Sequence, residues 1–292
     1  MNPTVLLGLL LAFCFGTSDY LSKGVTKQVG AYRTAVLTLA LSGLLLLGPA
    51  PLMGSFTIGD STTPALLLLL SVSTFLAFFF MYRGYRRGKL SVISPTVNSF
   101  PIFSVALSVF LLKVSLSTTV LVALCGVIGG VLLVSTSFSE IGASRRRDLT
   151  PGLPDGIIAA LFFGISLTAL GYAEQTIGYL LPIFAARLGA AAVGFLVAIP
   201  LKERVWGSVS IPWRRLSAMG LLEFGGLSAF SLALIHSGDP RSLPIITTMG
   251  GMGVLFTVGY AFVLLKETSE ANHRLGIALL IVSVGALLYL TA

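Results

Sequence analysis

The feature that most constrains this chain is a succession of apolar runs of about 20 residues, separated by short stretches with Gly, Pro and charge. An α-helix of that length spans about 30 Å, the thickness of a bilayer's hydrocarbon core. Only 10% of the residues are charged, whereas soluble proteins have about a quarter. The alternating segments typical of a transmembrane β-barrel do not occur. The sequence therefore predicts an all-α polytopic membrane protein.

Reading these runs against their Gly, Pro and charge boundaries predicts about ten transmembrane helices. With an even number of spans, both termini lie on the same side of the membrane. The expected limits are 3–22, 31–50, 64–82, 91–112, 117–138, 156–174, 182–200, 216–236, 244–265 and 275–291.

The basic residues select that side, because cytoplasmic loops carry an excess of Lys and Arg. The five loops opposite the termini hold three, four, three, four and two of them, 16 of the 19 Lys and Arg. We therefore expect both termini outside and a multi-pass protein of the inner or plasma membrane. The cluster Arg83, Arg86, Arg87 and Lys89 is interpreted as part of this topology signal, with phosphate binding as the alternative. The net charge of +8 then reflects topology and lipid headgroups rather than nucleic acid.

Short matches at similar offsets predict an internal repeat. "FLLK" at Phe110–Lys113 corresponds to "VLLK" at Val263–Lys266, and "FG" occurs at both Phe15–Gly16 and Phe163–Gly164. Two halves of five helices must run through the membrane in opposite senses, which is the inverted-repeat plan of secondary transporters. The predicted units are a first five-helix repeat at 1–140, a basic cytoplasmic linker at 141–155 and a second, inverted repeat at 156–292.

These residues resemble the drug/metabolite transporter superfamily, in particular its EamA-type ten-helix members. The similarity lies in the aromatic–glycine pairs, in an Arg early in the second helix of each half (Arg33 and Arg187), and above all in the block "RGYRRGKLSVISPTVNSFPIF…FLLK". The resemblance implies export or exchange of small metabolites. It also implies that spans 1–4 and 6–9 enclose a cavity while spans five and ten pack outside it.

Interruptions at corresponding positions of the two halves are the best sequence indication of a transport site. Prolines in span four free carbonyls, which must be satisfied by neighbours or face a watery cavity. Span nine opens with a proline followed by threonines and glycines. Helix packing is the alternative role for these residues. The predicted cavity residues are Ser94, Pro95, Asn98, Pro101, Thr247, Thr248, Gly250 and Gly251, with Tyr82 and Tyr172 near span ends as further candidates.

Acidic residues inside spans are costly and therefore candidates for gating or coupling. Asp19 precedes Arg33 by 14 residues, and Glu174 precedes Arg187 by 13. We expect each pair to form an ion pair that closes one face, with simple interfacial anchoring as the alternative. Glu223 has no cation nearby in the sequence, and a proton-coupling role is set against a carboxylate that reaches cytoplasmic water.

The function predicted from these features is secondary-active transport of small metabolites such as amino acids, by alternating access. The expected partners are a small-molecule substrate, the lipid bilayer and protons as a candidate coupling ion, with the chain a monomer or homodimer. No phosphate loop or metal-ligand spacing occurs in the sequence, so we expect no cofactor, no metal and no enzyme. A lipid flippase shares this architecture and stays open. A lipid-modifying enzyme would need acids or histidines converging at one face, where the loops offer mainly bases.

Overall fold

The computed structural model describes residues 3–48, 62–135, 151–203, 205, 210–239, 241–265 and 271–291, and the regular structure within these ranges is helical. The helices are α1 (Pro3–Val29), α2 (Ala31–Leu45), α3 (Thr63–Arg87), α4 (Leu90–Val97), α5 (Pro101–Phe110), α6 (Thr118–Ser135), α7 (Leu153–Ile177), α8 (Leu180–Phe184), a π-helical turn (Ala185–Gly189), α9 (Ala190–Leu201), α10 (Trp213–Ser237), α11 (Ser242–Gly251), α12 (Gly253–Leu264) and α13 (Ala271–Thr291).

Seven helical segments in the described ranges are long and apolar enough to cross a membrane. Three shorter apolar stretches lie at 31–45, 118–130 and 274–283. Large apolar side chains such as Leu196, Ile199 and Val263 face outward and are more than half exposed, as expected of a lipid-facing surface. The all-α, multi-pass class is therefore confirmed. The count of ten crossing helices, the inverted repeat and the orientation of the termini stay predictions.

The predicted repeat boundaries fall partly outside the described residues. Residues 141–150 of the predicted linker, with the three arginines at 145–147, are among those that the structure does not describe. The end of the linker is described, and it is helical from Leu153 onward. Asp155 therefore belongs to the first turn of α7 rather than to a loop.

Two helical segments are interrupted midway. Between α4 and α5 the chain makes a tight turn in which Ser99 and Phe100 donate to carbonyls three residues earlier. Pro101 begins α5, where its missing N–H costs nothing, so the interruption predicted within the span 91–112 divides it into two helices. The second interruption is at Met252, between α11 and α12. Its neighbours Gly251 and Gly253 lack side chains, which weakens the helix there.

The helices of the first part of the chain (α1–α6) interleave with those of the second part (α7–α13). α1 packs along α10, and α7 packs along α3. α6 and α13 pack against each other, with Gly126 touching Ser283. The opening helix of each part therefore lies against helices of the other part, and the interrupted segments meet between them.

Candidate functional site

A small central cavity lies at the interruption between α4 and α5, beside the point where the second interrupted segment crosses it. Its volume is about 30 Å³, room for about one water molecule. Residues from both parts of the chain surround it, so it is an inter-helix space and not a groove on one helix. The lining consists of Phe15, Asp19, Phe78, Met81, Val97, Asn98, Phe100, Phe163 and Glu223.

The crossing is tight because glycine occupies it. A Cβ added to Gly251 would lie 2.7 Å from the Pro101 ring and 2.9 Å from the Asn98 carbonyl oxygen. A Cβ on Gly253 would lie 3.4 Å from the Asn98 side-chain oxygen. Any larger residue at 251 would push the two interruptions apart. The predicted residues Pro101, Asn98 and Gly251 are thus brought together by the fold.

The two aromatic–glycine pairs are placed in equivalent ways. Gly16 of α1 packs against the backbone of Gly253, and Gly164 of α7 packs against Phe103 beside the other interruption. The preceding residues, Phe15 and Phe163, both line the central cavity. Each opening helix therefore crosses the interrupted segment of the other part, with the glycine permitting the close approach.

An ion pair is buried beside the cavity. Arg187 Nη2 lies 3.1 Å from Glu223 Oε2, and both side chains are at most 4% exposed. Ser18 donates a hydrogen bond of 2.8 Å to the other carboxylate oxygen, and the guanidinium lies 5.1 Å from the Phe78 ring centre. The π-helical turn carries Arg187; such turns add a residue to the helix and re-aim the side chains on it.

This pair corrects two predictions. Arg187 binds Glu223 of α10, and the predicted partner Glu174 instead accepts a hydrogen bond of 2.5 Å from Ser231. Glu223, which looked isolated in the sequence, has a cation from a helix 36 residues away along the chain. No sequence pattern predicts this pairing, because it depends on how α10 packs against the π-helical turn.

Asp19 is satisfied by neutral groups. Its carboxylate accepts from Asn98 Nδ2 at 3.2 Å and from Ser94 Oγ at 3.4 Å. Asn98 also donates to the Ser94 carbonyl at 2.9 Å, so α4 offers a preformed donor pair to α1. The predicted partner Arg33 does not bind it; Arg33 lines a separate cavity at the start of α2. The predicted Asp19–Arg33 gate pair is therefore wrong.

Several buried polar atoms near this network have no hydrogen-bond partner among the described residues. They are the Nε of Arg187 and three hydroxyls that lack a well-formed hydrogen bond, those of Thr38, Tyr82 and Tyr85, with Tyr82 beside Thr38 and Tyr85 beside Asp19 and Ser94. Buried polar groups are nearly always satisfied, so the Arg187 Nε has unused donor capacity toward water or a polar solute.

The remaining predicted residues lie elsewhere. Thr247 and Thr248 are buried and donate to carbonyls of their own helix, Leu243 and Pro244. Pro95 lies inside α4, and Gly250 faces Leu11 and Phe100. Tyr172 is 44% exposed and lines a lateral apolar groove with Leu107 and Leu243, not the central cavity.

One set of charged contacts was missed. Asp155 of α7 lies 3.4 Å from Arg83 Nε and 3.0 Å from Arg87 Nη1 at the end of α3. Gly84 and Gly88 there pack against the backbone at Gly152 and Pro151. The two parts of the chain are therefore tied together at the face that carries the basic loops. Within the described ranges, His, Cys, Asp and Glu form no group of three that could hold a metal ion.

The whole chain matches a solved crystal structure of a protein with a TM-score of 0.70 at 15% identity, covering 99% of this chain and 97% of that one. At that identity the likeness concerns the fold. Two relatives from Helicobacter pylori strains, each named an uncharacterized transporter, are 29% identical over 100% of this chain and 97% of their own length.

A further relative, an uncharacterized protein of Methanocaldococcus jannaschii, is 25% identical over 47% of this chain and 99% of its own length. A chain of about half this size therefore matches about half of this one. The resemblance predicted from the sequence is confirmed by the family comparison: residues 2–136 match the EamA-like transporter family.

Proposed function

We propose that this protein is a secondary-active transporter, an exporter or exchanger of small metabolites such as amino acids, that works by alternating access. The observation that carries the proposal is the small cavity beside the crossing of two interrupted helical segments, lined from both parts of the chain. Interrupted helices at the meeting point of two repeats are the usual site of substrate binding in such transporters. The family match and the names of the Helicobacter pylori relatives support the same function.

The repeat plan that this mechanism requires has two lines of support. α1 lies along α10 while α7 lies along α3, which is the reciprocal packing that two inverted five-helix repeats would produce. The half-length relative is consistent with a unit that also exists alone. In this proposal the repeats are 1–140 and 156–292, the termini are outside, and the protein lies in the cell membrane.

The charged groups in the cavity lining, together with Arg187 next to the lining residue Glu223, suit a substrate with both charges. Arg187 is held by Glu223, yet its Nε has no partner among the described residues. Asp19 has only hydroxyl and amide donors. A zwitterion would direct its carboxylate toward Arg187 and its ammonium toward Asp19. With room for about one water molecule, the cavity must open before such a substrate enters, so we interpret this conformation as closed to both sides.

The proposal is tested by counterflow in reconstituted vesicles. Vesicles are loaded with one unlabelled solute class at a time, amino acids, nucleotides or cationic drugs, and uptake of the labelled solute is measured with and without a pH gradient. We expect exchange of at least one amino acid class. Asn98→Leu should abolish it and Tyr172→Phe, outside the cavity, should preserve it. No exchange of any solute would contradict the proposal.

One observation favours a second candidate, a lipid flippase. The lateral groove of about 660 Å³ between α3, α5 and α7 has apolar walls, among them Leu66, Leu111 and Ile165, and an acyl chain would fit there. Transfer of a labelled phospholipid between leaflets, without solute exchange, would support this function. A lipid-modifying enzyme has no comparable support.

A further inference from the structure

A second cavity, far larger than the central one, has five cations among its twelve lining residues. It has a volume of about 700 Å³ and lies between the α1–α2 turn, the end of α3 and the end of α9. We call it the basic cavity. Its cationic lining residues are Lys27, Arg33, Arg83, Arg86 and Arg87.

The acidic groups among the described residues do not neutralise this lining. Glu203 is the acidic residue of the lining, and Asp155 pairs with Arg83 and Arg87. Five cations thus face two acids. No ion pair or hydrogen bond is found for Lys27 or Arg86 in the described part of the chain, so their charge is available to a ligand. Arg86 leans over the α1–α2 turn, where a Cβ on Gly30 would lie 3.9 Å from its Nη1.

The backbone of the cavity reinforces its positive character. α2 begins there at Ala31, and Gly30, with φ 91°, has no side chain to cap the first turn. The N-terminal N–H groups of a helix favour an anion. The floor is apolar, with Val29 buried and Phe79 half-buried. A charged rim over an apolar floor suits an amphiphile as well as a small anion.

We propose that the basic cavity binds a phosphate-type anion, supplied either by the headgroup of an anionic phospholipid or by a soluble phosphate compound. Guanidinium groups recognise phosphate oxygens through paired hydrogen bonds. Loops rich in Lys and Arg meet anionic lipid at the cytoplasmic leaflet, the side on which topology counting places this cavity. The site is separate from the central cavity and does not depend on the transport proposal.

The site shares two residues with the contact between the two parts of the chain. Arg83 and Arg87 line the cavity and also bind Asp155 of α7. A bound phosphate group competes with Asp155 for them. Occupancy therefore loosens the tie between α3 and α7, and removing the Asp155 charge tightens anion binding.

The test uses the purified full-length protein in a neutral detergent. Binding of short-chain phosphatidylglycerol is measured by native mass spectrometry and by thermal shift, with phosphatidylcholine as the uncharged reference and inorganic phosphate as competitor. Lys27→Gln and Arg86→Gln should each weaken phosphatidylglycerol binding about tenfold, as expected for loss of a hydrogen bond to a charged group. Asp155→Asn should strengthen it. Arg214→Gln, an exposed cation on the same face outside the cavity, should leave it unchanged.

The outcomes distinguish a phospholipid headgroup from a soluble phosphate compound as the source of the bound phosphate group. Competition by millimolar inorganic phosphate identifies a soluble phosphate ligand, and its absence identifies the lipid headgroup; both support the site. Equal affinity for phosphatidylcholine, or equal weakening by Arg214→Gln, would overturn it. Weaker binding by a folded Asp155→Asn variant would overturn the competition with α7.

Discussion

Asp19 and Glu223 line the same cavity, yet different kinds of group satisfy their carboxylates. Glu223 faces the guanidinium of Arg187 at 3.1 Å, so charge is balanced where it is buried. Asp19 accepts hydrogen bonds from Asn98 and Ser94. Both donors are neutral, so they do not compensate the negative charge of the carboxylate. Both side chains are at most 6% exposed.

The difference indicates a division of roles. A buried ion pair is costly to break, because the remaining charge is left without compensation; Arg187 and Glu223 therefore act as a fixed part of the site. A buried carboxylate with neutral donors can take up a proton or a substrate ammonium without breaking an ion pair. In our proposal Asp19 is the group whose charge changes during transport, a role that was considered from the sequence for Glu223, while Asp19 was placed in a gate pair.

The largest effect on stability is expected from Arg187→Gln. It leaves Glu223 buried without a cation, and we expect a loss of about 3–5 kcal/mol in stability, seen as a large drop in melting temperature in detergent. The matched control is the double variant Arg187→Met with Glu223→Leu, which removes both charges and should recover most of the loss. A single variant as stable as the wild type would contradict the fixed role of the pair.

A smaller effect is expected from Gly251→Ala. The new Cβ would lie 2.9 Å from the Asn98 carbonyl and 2.7 Å from Pro101, displacing the segment that donates to Asp19 while sparing the Arg187 pair. Overpacking of this kind costs about 1–3 kcal/mol. Gly259→Ala is the control, since a Cβ there meets nothing within 4 Å. Equal melting temperatures for the two variants would show that the interrupted segments are not tightly crossed.

Asp19→Asn is expected to change the stability of the protein least. The substitution keeps the shape of the side chain and its oxygen acceptor, so the melting temperature should shift by less than the equivalent of about 1 kcal/mol. Its effect is on transport: exchange weakens because the substrate ammonium loses its carboxylate partner, and the exchange that is left no longer depends on pH because the titrating group is gone. The measurement is counterflow across a pH series. A pH profile identical to that of the wild type would exclude Asp19 as the titrating group.

The sequence predicted the helical class and most of the helical limits, because length and hydropathy determine them. It also located both interruptions, since Pro95, Pro101 and the glycines of α11 act on their own backbone. Asn98 was a predicted cavity residue for the same reason. Features that depend on local covalent structure can be predicted from a single sequence.

The side-chain contacts between different helices could not be predicted from the sequence. Arg187 was assigned to Glu174 by proximity along the chain, whereas the π-helical turn directs it to α10. Asp155 was assigned to a linker, so its contact with α3 was missed. Tyr172 was a candidate for the cavity because it lies near a span end, but it lines the lateral groove. Each error concerns which face of a helix meets which neighbour.

The most direct test of alternating access is the accessibility of a cysteine in the central cavity. Val97→Cys, in a background with Cys14 and Cys125 replaced, places a small thiol on the lining. A membrane-impermeant maleimide is applied to sealed vesicles of either orientation, with the outward-facing Leu196→Cys as the lipid-exposed control. The proposed mechanism predicts slow labelling from both sides. Labelling from one side only, under every substrate condition, would contradict it.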